Sequence, residues 1–209
     1  MRLILASTSP RRSEILALLG LPFEIIAPEF DERVSRHSPI QEEVVAFAVG
    51  KATSVARTSP GSIVIGSDTM ILLNGEKIGK PEDEPDARRI LTLLSGERHT
   101  IYTSVAIVDE NGGLGLRAIE TVEVAMRSFG AEEIERYLES GESVDKAGAY
   151  SIQGDGRNLI DNIEGDYLAA VGLSLRPIAN YLKDRGVKIE RDIDKLYLDR
   201  TYLNWRSFD

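Results

Sequence analysis

No cysteine occurs in the 209 residues. That absence excludes disulfides, zinc–thiolate sites, iron–sulfur clusters and thiol nucleophiles. Histidine is nearly as scarce, with His37 and His99 alone. Neither a histidine-rich metal site nor a Ser-His-Asp triad is expected. Any metal would be held by oxygen ligands, which suit magnesium or manganese. No stretch approaches the roughly 18 apolar residues of a membrane span. The opening MRLILASTSPRR carries an apolar run too short for a signal-peptide core, so a cytoplasmic location is expected. Positive charge is also short, with 25 basic against 34 acidic residues and a net charge of −9. Polymeric nucleic acid and membrane surfaces are therefore not expected partners. A locally positive pocket stays compatible with this balance.

What is present is ordinary for a globular protein: 42% apolar and 28% charged residues. The length suits one large domain or two small lobes. Residues 3–6 read as a buried strand. Pro10 suits the first turn of a helix with Ser9 as N-cap, and Gly20 ends that helix. Residues 23–27 read as a second strand, and 41–56 as a helix. Residues 62–67 (SIVIGS) form another buried strand. Asn74-Gly75 signals a hairpin between 70–73 and 77–79. A helix follows at 85–94, then a long hairpin of 99–108 with 114–125. Helices are expected at 132–140 and 173–185. Residues 187–209 give no clear assignment. Mixed helices and hairpins indicate an α/β or α+β fold with a mixed sheet. Neither a G-x-G-x-x-G fingerprint nor a Walker A sequence is present.

Six stretches look chemical. Ser7-Thr8-Ser9-Pro10-Arg11-Arg12 puts two arginines in the first turn of a helix, where a cation costs about 0.3–1 kcal/mol. A docked phosphate would reverse that sign, cradled by backbone N–H groups, hydroxyls and an arginine fork. A solvated first turn is the plain alternative. Lys51 shares an apolar helix face with Val44, Ala48 and Val55. It needs a pocket or a carboxylate, unless it snorkels to the surface. Ser67-Asp68-Thr69 ends a buried strand, where Asp68 can hold a metal or take a proton from water, or merely cap the following turn. Lys80 follows a hairpin in Gly79-Lys80-Pro81 and offers a point charge for phosphate or a solvated side chain. Asp31-Glu32 could ligate magnesium or stay solvated. Ala147–Gly154 is small-residue-rich, and Gln153 in it offers one acceptor and two donors. Together they suggest attack by water on a phosphoryl group, with no covalent residue.

The same stretches carry a resemblance. STSPRRSEIL, PEFDE, a lysine helix containing GKA, GSDT, KIGKPEDEPDARRILTLLSGERHTIYTSV, YLESGE, DKAGAYSIQG and IEGDYLAAVGLSL occur in this order. They resemble the Maf family of nucleoside triphosphate pyrophosphatases across residues 3–182. The resemblance implies a mixed α/β fold with two lobes around a deep cleft, similar to the inosine triphosphate pyrophosphatases. A single catalytic domain is expected over residues 1–187, and residues 188–209 form an extension to which no role is attached. The resemblance further implies hydrolysis of a nucleoside triphosphate to monophosphate and pyrophosphate with a divalent cation, Mg2+ or Mn2+. Asp68 carries over as proton acceptor. Ser7, Arg11, Arg12, Lys51 and Lys80 carry over as substrate-binding residues, and Glu32 with Asp68 as metal ligands. Arg12, Thr69 and Gln153 match the dTTP/UTP branch. Modified nucleotides such as 7-methyl-GTP, or a non-catalytic nucleotide-binding role in cell division, are the alternatives. The family also suggests a homodimer. One stretch departs from the family pattern: Gly165 to Ser174 reads GDYLAAVGLS, without its second tyrosine, its asparagine and its proline.

Overall fold

Leu3, Ile4, Leu5 and Ala6 are all buried in β1 (Arg2–Ala6). A strand covered on both faces shows no alternation, as this run predicts. The computed structural model describes residues 1–35, 37–144 and 146–208. In it β1 pairs in parallel with β2 (Glu24–Ile25) and with β3 (Ser62–Leu73). The sheet continues through β5 (Arg98–Val108), β6 (Leu114–Met126) and β7 (Ile160–Glu164), while β4 (Glu76–Ile78) pairs antiparallel with β3. β6 and β7 are antiparallel as well. The protein is thus α/β with a mixed, seven-stranded sheet. Its helices are α1 (Pro10–Ala17), α2 (Ile40–Ala56), α3 (Glu84–Leu94), α4 (Ala131–Glu139), α5 (Tyr167–Val171), α6 (Leu175–Asp184) and α7 (Ile193–Asp199). No helix among the described residues is long and apolar enough to cross a membrane.

Three local expectations are revised. The second strand is two residues, Glu24–Ile25, although the Ile26 N–H still donates to the Leu5 carbonyl of β1 at 3.1 Å. Ser67-Asp68-Thr69 lies in the middle of β3, which runs on into the hairpin without a break. The helix expected over 173–185 begins at Leu175, and a separate short helix, α5, precedes it. Gly172 divides the two, with φ 133°, a value L side chains rarely adopt.

The chain separates into two compact units. The first comprises residues 1–69, 103–120 and 172–199. Its core joins Ile4, Ala6, Ala48, Ala52, Val55, Val64, Ala106 and Val108. Gly66 is what lets α2 lie this close to β3. A Cβ there would run into the backbone of Ala48 and Ala52.

The second unit comprises residues 70–102, 121–171 and the segment from Arg200 onward. Asn74 and Gly75 take φ of 51° and 85°, as a two-residue hairpin turn between β3 and β4 requires. α3 packs on α4. His99 is buried here, with Nε2 2.8 Å from the Tyr150 hydroxyl. Burial pushes its imidazole down from 6.5 to about 4. Above pH 6.5 both folded and unfolded states keep it neutral, and its contribution to stability is whole. As pH falls from there, the unfolded chain takes up a proton that the folded one refuses. Stability is expected to drop by about 2 kcal/mol between pH 7 and pH 5 through this residue. Urea unfolding at the two pH values checks it: His99→Gln flattens the slope.

Candidate active site

The first unit gathers most of the residues singled out in the sequence. Pro10 opens α1 and Ser9 precedes it in extended conformation, but the Ser9 side chain makes no capping hydrogen bond. The Ser7 hydroxyl instead accepts the Ser9 N–H at 3.1 Å. Arg12, in the first turn, is clamped by three acceptors. Its Nε donates to the Gly172 carbonyl at 2.9 Å, its Nη2 to Thr69 Oγ1 at 3.3 Å and its Nη1 to Ser7 Oγ at 3.5 Å. The Ser67 hydroxyl also donates to the Gly172 carbonyl, at 3.1 Å. Thr69 Oγ1 lies 3.0 Å from Thr103 Oγ1. Every one of these contacts holds the guanidinium in a fixed place. Arg11, beside it on α1, is half-buried.

Lys51 does not snorkel. It is 6% exposed on the buried face of α2. Its Nζ donates to Asp68 Oδ1 at 2.6 Å and pairs with Glu32 Oε1 at 2.7 Å. Asp68 is equally buried, whereas the Glu32 side chain is 44% exposed. Of the alternatives open for Lys51, it takes carboxylates, and two of them. They come from the middle of β3 and from the loop after β2, and one ammonium joins them. Asp31 takes no part in this cluster and pairs with Arg33 in solvent.

Burial is the largest influence on Asp68 and pushes its carboxyl above the usual range; Lys51 and Arg12 pull it back, and Glu32 pushes it further up. Such a carboxylate holds a proton more strongly than an exposed aspartate does. Burial lowers the Arg12 guanidinium, against the pull of Asp68 and Glu32. The four charges of Arg12, Lys51, Asp68 and Glu32 cancel. A charge-balanced cluster around a buried carboxylate of raised proton affinity can take a proton from water and steady an anion.

Lys80 and Gln153 belong to the second unit. Lys80 is exposed just past β4, next to Gly79, whose carbonyl accepts the Gly148 N–H at 3.0 Å. The Ala147–Ala149 turn holds positive φ at Gly148 and Ala149, and both residues are buried. Gln153 is half-buried, with its Nε2 donating to the Tyr202 hydroxyl at 2.9 Å.

Sequence reasoning missed Thr103 and the Gly172 carbonyl, and gave Ser67 no role of its own; the Gly172 carbonyl holds Arg12, Ser67 donates to that carbonyl, and Thr103 meets Thr69. Gly172 stood one residue ahead of the helix expected over 173–185. It survives in the stretch that departs from the family pattern.

Known proteins resemble this chain over most of its length. The family model described as "Maf-like protein" matches residues 2–185. A "dTTP/UTP pyrophosphatase" of Moorella thermoacetica is 44% identical over 189 residues, 90% of this chain and 97% of that protein. Proteins of the same name from Dictyoglomus thermophilum and Bacillus cereus are 41% and 39% identical, with the same shares of each chain covered. A match of this extent, over the residues that build the Arg12 and Lys51 clusters, places the chain in the Maf-like protein family.

Proposed function

We propose that this protein hydrolyses nucleoside triphosphates to the monophosphate and pyrophosphate, with dTTP and UTP as preferred substrates. The observation that carries the reading is the buried Lys51–Asp68 pair, a carboxylate of raised proton affinity beside fixed cations. Asp68 takes the proton of a water that attacks the α-phosphorus, and pyrophosphate leaves. Arg12 and Lys51 neutralise the phosphate oxygens. Ser7 adds a hydroxyl, and Arg11 a second arginine on the same turn. Motif position assigns Lys80 to the phosphates and Gln153 to the base. Phosphoryl transfer needs mainly positioning and charge stabilisation, so no covalent intermediate is required.

The residues fit a divalent cation. Asp68 and Glu32 already converge on one positive charge, the Lys51 ammonium. Their donor set is hard oxygen, which suits magnesium or manganese. No group of three or more metal-ligating acids or histidines occurs among the described residues. Magnesium is commonly held by one or two carboxylates plus substrate phosphates and water. Asp68 and Glu32 would hold it. When bound, it supplies the positive charge that a triphosphate needs in a cluster otherwise balanced to zero.

Gln153 reads the base in this proposal. The uracil or thymine edge alternates acceptor, donor, acceptor, and a glutamine amide complements a neighbouring donor and acceptor. Pyrophosphate release from dTTP, UTP, CTP, 7-methyl-GTP and ITP, with Mg2+ or Mn2+, tests the reading. Fast release from dTTP and UTP is the expected result. Release from none of them contradicts it.

A further inference from the structure

Residues beyond 185 lie outside the family match, yet the segment from Arg200 onward is tied firmly into the second unit. Trp205 is buried, and its ring stacks on Tyr167 with centroids 5.2 Å apart. The Tyr167 hydroxyl donates to the Leu203 carbonyl at 2.6 Å. Arg157 donates to the Ser207 carbonyl at 2.9 Å and lies over the Phe208 ring. Arg200 and Asn204 take φ of 47° and 60°, and the Trp205 N–H closes back on the Tyr202 carbonyl. Held this way, two side chains of the segment converge on Gln153. Its Nε2 donates to the Tyr202 hydroxyl at 2.9 Å, and Asn204 Nδ2 donates to its backbone carbonyl at 2.6 Å.

We propose that the C-terminal segment is a specificity element, in which Tyr202 holds the Gln153 amide in the orientation that accepts a uracil or thymine edge and refuses a cytosine edge. This rests on the base-reading role given to Gln153 above. A primary amide has two N–H donors and one carbonyl. Tyr202 takes one N–H. One N–H and the carbonyl remain for the base. They complement the O4 acceptor and the N3–H donor of uracil or thymine. Cytosine carries the reverse pattern, a donor at N4 and an acceptor at N3. Half a turn about the last glutamine bond would suit it equally well, because that torsion is broad and roughly two-fold. An unheld glutamine therefore discriminates poorly between the two. With the phenol accepting from Nε2, its own proton is directed away from Gln153. Both groups would have to reverse before cytosine could be read. Tyr202 is thus a positioning residue, acting on the base through Gln153.

The test compares kcat/KM for UTP and CTP in the full-length wild type, Tyr202→Phe and Gln153→Ala. Tyr202→Phe keeps the ring and removes only the hydroxyl, so the segment stays packed. Its UTP-to-CTP ratio is expected to fall about threefold to tenfold, the worth of one orienting hydrogen bond. The change should lie in KM, with kcat for UTP nearly unmoved. Gln153→Ala should lower the ratio at least as far. An unchanged ratio in Gln153→Ala would overturn the base-reading role and this proposal with it. A ratio lowered by Gln153→Ala but untouched by Tyr202→Phe would overturn this proposal alone. A lower KM for UTP in Tyr202→Phe would also overturn it, since the segment would then block the amide rather than aim it.

Discussion

Asp68→Asn is expected to lower kcat for dTTP by about 10²–10⁴, the usual contribution of a positioned general base. The substitution is nearly isosteric and removes the negative charge without opening a cavity. The amide that replaces the carboxylate cannot accept a proton, so water attacks unassisted. Arg12 stays in place, because it is held by Gly172, Thr69 and Ser7 rather than by Asp68, and Lys51 keeps Glu32 as a charged partner. Substrate binding should therefore suffer less than turnover. Steady-state kinetics with dTTP and saturating Mg2+ read this directly. A variant that keeps near-full kcat would remove Asp68 from the proton-transfer role.

Lys51→Met should produce the largest loss of stability of any single change in this cluster. The Lys51 and Asp68 side chains are each 7% exposed, so little water can replace the missing ammonium. Breaking one partner of such a buried pair costs about 3–5 kcal/mol, since it strands a charge. Protonation of Asp68 offers partial relief, which burial already favours. Combining Lys51→Met with Asp68→Asn should recover about 1–3 kcal/mol, as expected for coupled neighbours. Urea unfolding of the two single variants and the double variant measures this coupling. Activity should stay lost in the double variant while stability returns. That split separates the structural role of the pair from its chemical one. A loss under about 1 kcal/mol for Lys51→Met would mean that the pair is not sealed from solvent.

The periodicity of α2 showed that Lys51 sits on an apolar face, which left a pocket, a carboxylate or snorkelling to the surface as its alternatives. Which carboxylate was not legible. Asp68 lies 17 residues away on a strand, and Glu32 lies on a loop with no periodic pattern. Only the close approach of α2 to β3 at Gly66 joins Lys51 to Asp68. The position of Asp68 within β3 was misread for a related reason. The buried run and the hairpin strand are one element, and nothing in a continuous apolar sequence marks where a ligand-facing residue falls. Arg12 looked misplaced at a helix N-terminus, and that local conflict pointed to a docked phosphate or, plainly, a solvated first turn. Its acceptors include a backbone carbonyl 160 residues on, which no sequence pattern announces. The final segment gave no secondary-structure signal. α7 forms there on a short face with Ile193 and Leu196 buried, and from Arg200 onward order comes from ring stacking on Tyr167 and from two left-handed residues, Arg200 and Asn204.

Hydrolysis of dTTP in oxygen-18 water tests the central claim most directly. Attack at the α-phosphorus, with water activated by Asp68, puts the label in dTMP and none in pyrophosphate. Label in pyrophosphate, or release of inorganic phosphate with dTDP, would contradict the account.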